Sequence, residues 1–502
     1  MVDFAMDQAI IGIVGAGAMG QGIAQVALTG GLKVKLFDVD EKARAKAAES
    51  IAKRLDRLVE KERLSGEQAA AAKDALAIVG ALGDLSDADA VIEAVTEKLE
   101  VKRAIFVSLD DIVRPDCLLA SNTSSLPIAR IAAGTKHPSR IAGMHFFNPV
   151  PLMGLVELVQ AGETAPETID ALAALAHRMG RTPVRVKDTP GFLVNLGGRA
   201  YVTEALHIVQ EGVATPAQID AVMRDCCGYR MGPFELMDLT GIDVNFPVTE
   251  IVHRAFSYDP RLRTTLDHRS LLDAGLLGRK TGAGFFTYQD GKPVEQPVDI
   301  APSSAPPEKV VLLADDPELT DLAVAAGVEI LSADDGESPI VTSLPRGRDA
   351  TQAAFDTGVD PTRLVAVDTE FDTSKRLVVM VPPGADFDNL QSVAAWLIST
   401  GVVVTAIQDS PGFIAQRIQA MVGNLGCEIA QRGLANVADI DTAMKLGLNY
   451  PMGPLELVDD MGPGRVYDML TRLQQITGDD RYRPSLWLRR RALLGLSART
   501  PD

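Results

Sequence analysis

The sequence predicts an α/β fold, and three observations predict it. Residues 1–187 alternate short β-rich runs with longer helical patterns, which argues for a largely parallel sheet with helices on both faces. The first run, Ile10–Val14, leads into Gly15-Ala16-Gly17-Ala18-Met19-Gly20 and then a helical stretch, Gln21–Leu28. Two motifs near residues 190 and 230 return 221 residues later, so part of the architecture is written twice. The expected order is a Rossmann-like dinucleotide-binding domain plus an all-helical domain, then a smaller degenerate α/β domain and a second copy of the helical domain.

Strands are expected at Ala9–Val14, Lys33–Phe37, Ala90–Ala94, Cys117–Ala120, Arg140–Met144, Val156–Val159 and Val184–Val186. Residues 42–76 are rich in Ala, Lys, Arg and Glu and read as a helical excursion that turns near Ser65-Gly66. Helical patterns dominate 188–288, with turns at Gly228, Gly232-Pro233 and Gly241. Residues 289–308 are Pro- and Ser-rich and read as a semi-rigid linker. Strands return at Lys309–Leu313, Pro339–Thr342, Leu364–Val367, Leu377–Val381 and Val402–Thr405, which makes 309–405 the smaller α/β domain. The repeat then places the second helical copy at 406–502. D-T-P-G-F (188–192) recurs as D-S-P-G-F (409–413), and Y-R-M-G-P-F-E-L (229–236) as Y-P-M-G-P-L-E-L (450–457). Ile219-Asp220 likewise matches Ile440-Asp441 at the same offset.

Bulk properties exclude several classes. The chain has 502 residues, 46% of them hydrophobic and 23% charged, so it holds several cores in an ordinary globular composition. Its formal charge of −18 and lack of a long basic run argue against nucleic acid and anionic membranes. The apolar stretch Ile10–Leu28 is broken by glycines and reads as strand, loop and helix rather than a membrane span. The start, MVDFAMDQ, resembles no signal or transit peptide. Four cysteines without a CxxC pair fit reduced thiols, so a cytoplasmic protein is expected. Six histidines without ligand spacing give no metal site.

The glycine run carries the context a dinucleotide fingerprint requires. Gly15 permits the tight turn, Gly17 lets backbone approach the pyrophosphate, and Gly20 allows helix and strand to pack. Ala16, Ala18 and Met19 complete the loop. Asp38 ends the second strand, eighteen residues beyond Gly20, where a carboxylate accepts ribose hydroxyls and repels a 2′-phosphate. NAD is therefore favoured over NADP. Asp38 also suits a helix cap before Glu41. In the later α/β domain, Ala314-Asp315-Asp316 stands where a glycine loop would be, and its carboxylates would repel a pyrophosphate.

A second constellation carries chemistry. S-N-T-S-S (121–125) precedes H-F-F-N-P (145–149), and Glu157 follows. His145 comes at the end of a β-like run, where α/β folds expose reactive groups. A histidine oriented by a carboxylate is a base that works near neutral pH. Plainer roles exist for some of these residues: a turn donor for Ser124, a backbone cap for Asn195, a solvated helix face for Lys102.

With GAGAMG (15–20), EKLEVK (97–102), SNTSSL (121–126), HFFNPV (145–150), LVELV (155–159), DTPGFLVN (188–195), MGPFEL (231–236) and RKTGAGFF (279–286) in this order, the chain closely resembles the L-3-hydroxyacyl-CoA dehydrogenase family. The resemblance implies that His145 is the general base, Glu157 its partner, and that Ser124 and Asn195 hydrogen-bond substrate oxygens near the reacting carbon. It places Asn148 beside the thioester, Glu97, Lys102 and Lys280 on the cofactor side, and Arg54 and Lys61 towards the CoA phosphates. Gln416 replaces the asparagine equivalent to Asn195, so the second half is expected to be silent. The resemblance also implies NAD as cofactor and an acyl-CoA as substrate. It raises the expectation that the second helical copy packs on the first in place of a dimer partner, with a homodimer left open.

The long architecture and the stretch GYRMGPFELMDLTGIDVNF (228–246) look most like dehydrogenases of 3-hydroxyadipyl-CoA in phenylacetate degradation; 3-hydroxybutyryl-CoA is the alternative substrate. A distal carboxylate calls for a cation in the acyl pocket, with Arg199, Arg230 and Arg254 as candidates. Two other readings are a non-catalytic NAD-binding scaffold and a dehydrogenase of free sugar acids. The intact set Ser124, His145, Glu157 and Asn195 argues against the scaffold, and a CoA-free hydroxy acid tested beside its thioester separates the other. Nothing in 289–502 resembles a hydratase module.

Overall fold

The computed structural model describes residues 9–343 and 346–502. The N-terminal MVDFAMDQ, read above for targeting signals, lies outside the described residues. The chain forms two compact units. One takes in the chain as far as Leu196 together with Gly433–Leu448; the other holds Gly197–Arg432 and Asn449–Asp502. These borders cut across the expected domain order, because segment 433–448 of the second helical copy packs on the first sheet.

In the first unit, β1 (Ile10–Val14), α1 (Ala18–Thr29), β2 (Lys33–Phe37), α2 (Glu41–Glu60), α3 (Gly66–Asp74), β3 (Leu76–Ile78), β4 (Ala90–Glu93), α4 (Leu99–Ile112), β5 (Leu118–Ser121), α5 (Ile128–Ala132), β6 (Ile141–Phe146), β7 (Leu155–Gln160), α6 (Pro166–Arg178) and β8 (Thr182–Lys187) follow in order. The sheet order is β3-β2-β1-β4-β5-β6-β7-β8. Every pairing is parallel except β6 with β7. Central strands such as β4 and β5 are buried throughout, which is why they read as unbroken apolar runs rather than alternating ones. The helical excursion is α2 and α3. Helix α2 buries only the stripe Ala47, Ile51 and Leu55, and a capping box of Ser65 and Gln68 makes the turn into α3. The excursion ends in a short edge strand, β3, whose three residues Leu76–Ile78 are too few to show a strand pattern in the sequence.

The opposite edge strand, β8, is covered. Lys187 N donates to Leu434 O (2.8 Å), Arg185 N donates to Asp439 (2.8 Å), and helix Val437–Leu448 packs against β7 and β8. An exposed strand edge invites unwanted pairing, and this segment blocks it.

The second unit holds a six-stranded sheet in the order Glu329–Leu331, Lys309–Leu312, Ile340–Thr342, Leu364–Asp368, Arg376–Met380, Val403–Ala406. Here too a single pair, Leu364–Asp368 with Arg376–Met380, is antiparallel. Strand Glu329–Leu331 was not anticipated. The Pro-rich linker is not free: Ile300 N donates to Val404 O, and Asp299 pairs with Arg376. The two helical copies meet within this unit. Helix Arg199–Gln210 packs on Ala415–Gln431, and the buried Glu204 accepts from Arg417 (2.8 Å), Arg481 (3.2 Å) and Tyr482 (2.6 Å). In the other direction Arg261 reaches Glu428 (3.2 Å), and the repeat-related Tyr229 and Tyr450 stack edge-on at 5.2 Å.

Candidate active site

The glycine loop has the geometry that its sequence predicts. Gly15 has φ +114°, and a Cβ there would meet Ala94 O at 2.5 Å; a Cβ on Gly20 would lie 1.9 Å from Gly15 O. Around Gly17 the space is open. Gly17 is also the N-cap of α1 with no side chain capping it, so the first N–H groups of the helix are left for an anion. Beside the loop is a cavity of about 780 Å³ lined by Gly15, Gly17, Ala18, Met19, Asp38, Val95, Thr96 and Ile105 among others. Asp38 accepts from Ala16 N (2.7 Å), which holds its carboxylate against the loop. The N-cap of α2 is Asp40, not Asp38, so Asp38 is free of that duty. Uncapped helix, open glycine and acidic strand end together fit a dinucleotide.

Sheet register builds a histidine–carboxylate pair. In the antiparallel β6–β7 ladder, His145 lies directly opposite Glu157. Glu157 Oε2 is 2.7 Å from His145 Nδ1, and Oε1 accepts from Leu193 N (2.9 Å) and Val194 N (2.8 Å). The carboxylate is 0% exposed and the histidine 6%. Phe147 and Phe192 flank the imidazole, with ring centroids at 4.5 and 5.8 Å. A buried carboxylate without partners would be costly; this one is engaged on both oxygens. With Nδ1 taken by Glu157, Nε2 is the nitrogen left for a substrate proton. The two backbone bonds place Asn195, half-buried in the short helix Val194–Gly197, next to the residues that hold Glu157.

Ser124 comes from the neighbouring strand end. β5 and β6 pair in parallel with Ser121 opposite Gly143, so residues just beyond both strands emerge side by side. Asn122 Oδ1 accepts from Phe146 N (2.8 Å) and ties the serine loop to the histidine strand. Glu97 holds the loop from below: its Oε1 accepts from Thr123 Oγ1 (2.5 Å), Ser124 N (3.1 Å) and Ser125 N (3.2 Å). Burial pushes the Glu97 carboxyl up, but hydrogen bonds from Thr123 and the Lys102 charge outweigh it, so it titrates below the usual carboxylate range.

Other sequence candidates are dispersed. Lys102 is 0% exposed, its ammonium on Glu93 (2.7 Å) and near Glu97 (3.3 Å), so it is buried and does not line the cavity beside the glycine loop. Asn148 is exposed just past β6, and Lys61 is exposed at the end of α2. Arg54 is half-buried and donates to Gln21 (3.3 Å). Lys280 belongs to the second unit, where its ammonium pairs with Asp243. Glu93 and Asn122 were missed. The signal for Glu93 was a carboxylate closing the apolar run A-V-I, which burial obliges to have a partner.

Comparison with known proteins now decides the family. The model of the 3-hydroxyacyl-CoA dehydrogenase NAD-binding domain matches residues 10–189, and that of the C-terminal domain of the same enzymes matches twice, at 191–288 and 412–501. The chain belongs to the 3-hydroxyacyl-CoA dehydrogenase family. It is 37% identical over 486 residues to 3-hydroxyadipyl-CoA dehydrogenase of Escherichia coli, covering 96% of this chain and 97% of that one. A crystal structure of 3-hydroxybutyryl-CoA dehydrogenase from Escherichia coli K12 superposes with TM-score 0.85 at 36% identity, over 97% of this chain and 98% of that one. A probable 3-hydroxybutyryl-CoA dehydrogenase of Bacillus subtilis is 40% identical over 278 residues, 55% of this chain and 96% of that one. This 3-hydroxyacyl-CoA dehydrogenase is an NAD-dependent oxidoreductase acting on a CH–OH group.

The repeat shows what stands in the second half at the place of this pair. The offset of 221 that aligns the motifs also aligns Glu157 with Val378. The residue opposite Val378 in its antiparallel ladder is Asp368, where His145 stands opposite Glu157. Gln416, the counterpart of Asn195, donates to Asp368 (2.9 Å). The second half of the dehydrogenase thus holds a carboxylate–amide contact where the first holds the His145–Glu157 pair. No helix among the described residues is long and apolar enough to cross a membrane, and no group of three or more His, Cys, Asp or Glu among them could hold a metal ion.

Proposed function

We propose that this dehydrogenase oxidises 3-hydroxyadipyl-CoA to 3-oxoadipyl-CoA within phenylacetate degradation, with His145 as the general base. The observation that carries the chemistry is the buried contact of 2.7 Å between His145 Nδ1 and Glu157. NAD, when bound, supplies the acceptor for the hydride leaving C3. Nε2 of His145 takes the hydroxyl proton, and Glu157 stabilises the imidazolium in a site of low polarity, where the charge interaction is strong. Ser124 and Asn195 hydrogen-bond the substrate oxygens, with Asn148 beside the thioester and Arg54 and Lys61 towards the CoA phosphates. Glu97, Lys102 and Lys280 serve the cofactor side.

The adipyl assignment is supported by the Escherichia coli relative named for that substrate, which aligns over nearly the full length. Of the three candidate cations for a distal carboxylate, Arg230 and Arg254 are exposed. Arg199 donates to Thr249 Oγ1 (2.7 Å), and burial pushes its pKa down to about 10. A desolvated guanidinium is the kind that binds a carboxylate firmly, which favours Arg199. The second reading, 3-hydroxybutyryl-CoA, is favoured by the full-length solved relative that carries that name. Initial rates over a panel of 3-hydroxyacyl-CoA thioesters decide between them. A higher kcat/KM for the adipyl than the butyryl substrate is expected, the gap closing in Arg199→Met; preference for butyryl removes the adipyl assignment. In the same assay His145→Ala is expected to lose about 10²–10⁴ in kcat, and a smaller loss removes the base assignment.

The second helical copy is read as standing in for a dimer partner. Arg261 and Arg481, which stand alike beside Asp259 and Asp479, each cross to a glutamate of the other copy, Glu428 and Glu204, as in an approximate two-fold interface.

A further inference from the structure

Glu93 is the most thoroughly engaged buried charge near the site, and nothing in the chemistry above uses it. It closes β4, is 0% exposed, and sits beneath the loops that follow β4 and β5. Its Oε1 accepts from Val95 N (2.6 Å) in the loop after β4, and its Oε2 from Ser121 Oγ (2.7 Å) at the end of β5. Both oxygens hold the Lys102 ammonium, at 2.7 and 3.1 Å. That ammonium reaches on to Glu97 at 3.3 Å, and Glu97 accepts from Ser124 N. Three ionic side chains therefore run from the floor of the sheet to the backbone of the serine. The Ser124 residue itself is exposed, and what holds it is the grip on its main chain.

We propose that Glu93 is a positioning residue for Ser124, acting through Lys102 and Glu97. The inference rests on the reading of Ser124 as a substrate-binding residue. A hydroxyl that must meet an oxygen near the reacting carbon tolerates little displacement, and rigid support from buried neighbours supplies that precision. Two carboxylates sharing one ammonium give the chain its stiffness: Lys102 cannot leave Glu93 without stranding a buried charge. A carboxylate that only tied strands together would have no need of a lysine leading to the serine loop.

The test is a double-mutant cycle. Glu93→Gln/Lys102→Met removes both charges at nearly constant shape and is combined with Ser124→Ala. Residues that act through one another lose less together than apart, so with NAD held at saturation, which takes the cofactor-side roles of Lys102 and Glu97 out of the comparison, the charge variant is expected to lower kcat/KM for the thioester about 10-fold with Ser124 present and less than about 2-fold without it. Equal losses in both backgrounds, with thermal melts showing folded protein, overturn the proposal and leave the role of Ser124 intact. If Ser124→Ala alone leaves kcat/KM unchanged, the serine reading falls and the proposal with it. Should the charge variant fail to fold, Glu97→Gln, which keeps the Glu93–Lys102 pair, goes through the same cycle with the same expected and overturning results.

Discussion

Glu157 shows how one side chain sets the chemistry of another. Its Oε1 is committed to two backbone donors, and its Oε2 faces His145 Nδ1. A carboxylate can only accept, which keeps the proton on Nδ1 and leaves Nε2 as acceptor. Glu157→Gln breaks that logic at almost constant volume. Either the amide donates to Nδ1 and forces the wrong tautomer, or it turns its N–H groups against Leu193 N and Val194 N. A loss of about 10²-fold or more in kcat is expected for this variant, as for other bases held in the wrong tautomer. Steady-state rates check it; a loss below tenfold would mean that Glu157 only fills space. His145, Glu157 and Ser124 were legible as residue types at telling intervals. The lone buried Glu93 was not, because a carboxylate ending an apolar run looks like any strand boundary until its partners are seen.

Among the elements, the repeated motifs turn out to be largely structural. Asp188 of DTPGF accepts from Ile128 N and Ala129 N and caps α5; Asp409, its counterpart, caps Ala350–Thr357 through Ala350 N and Thr351 N. Asp220 caps helix Pro233–Thr240, and burial pushes its pKa up to about 7. The same solution to an open helix end was thus kept in both copies. The helix pair that joins the copies has a pH signature. His207, on helix Arg199–Gln210, is 3% exposed, and burial depresses its pKa to about 4. Below about 6.5 the unfolded chain takes up a proton that the folded chain refuses, so this histidine makes stability fall as pH drops from about 6.5 to about 4. Denaturant titrations across that range are expected to show a steeper loss for the wild type than for His207→Gln. Parallel pH dependences would show that the histidine is solvated in the native state.

At the scale of the whole molecule, the second half repeats the architecture of the first without, among the described residues, its histidine–glutamate pair. The six-stranded sheet repeats the single antiparallel pair of the larger sheet but carries Asp368 and Val378 where the larger carries His145 and Glu157. Its first loop offers Asp315 and Asp316 in place of glycines. The second half contributes burial: one helical segment covers β8, and its helix Ala415–Gln431 packs on the first copy. If that packing replaces a partner subunit, the protein sediments with the mass of one chain at micromolar concentration. A stable two-chain species in analytical ultracentrifugation would overturn the internal-dimer reading.

Much of this protein could be read from residue order alone. Glycine spacing, strand–helix alternation and the fixed repeat offset are local or periodic signals, and they marked the nucleotide loop, both sheets and both helical copies. What escaped were the short edge strands Leu76–Ile78 and Glu329–Leu331, the anchoring of the Pro-rich segment, and segment 433–448 lying against the first sheet. Those features depend on which surfaces meet after folding, and no local pattern encodes them. The opposition of His145 and Glu157 belongs to the same class. Two residues twelve apart meet as a pair only because β6 and β7 run antiparallel in one register, and a slip by one residue would send the two side chains to opposite faces of the sheet.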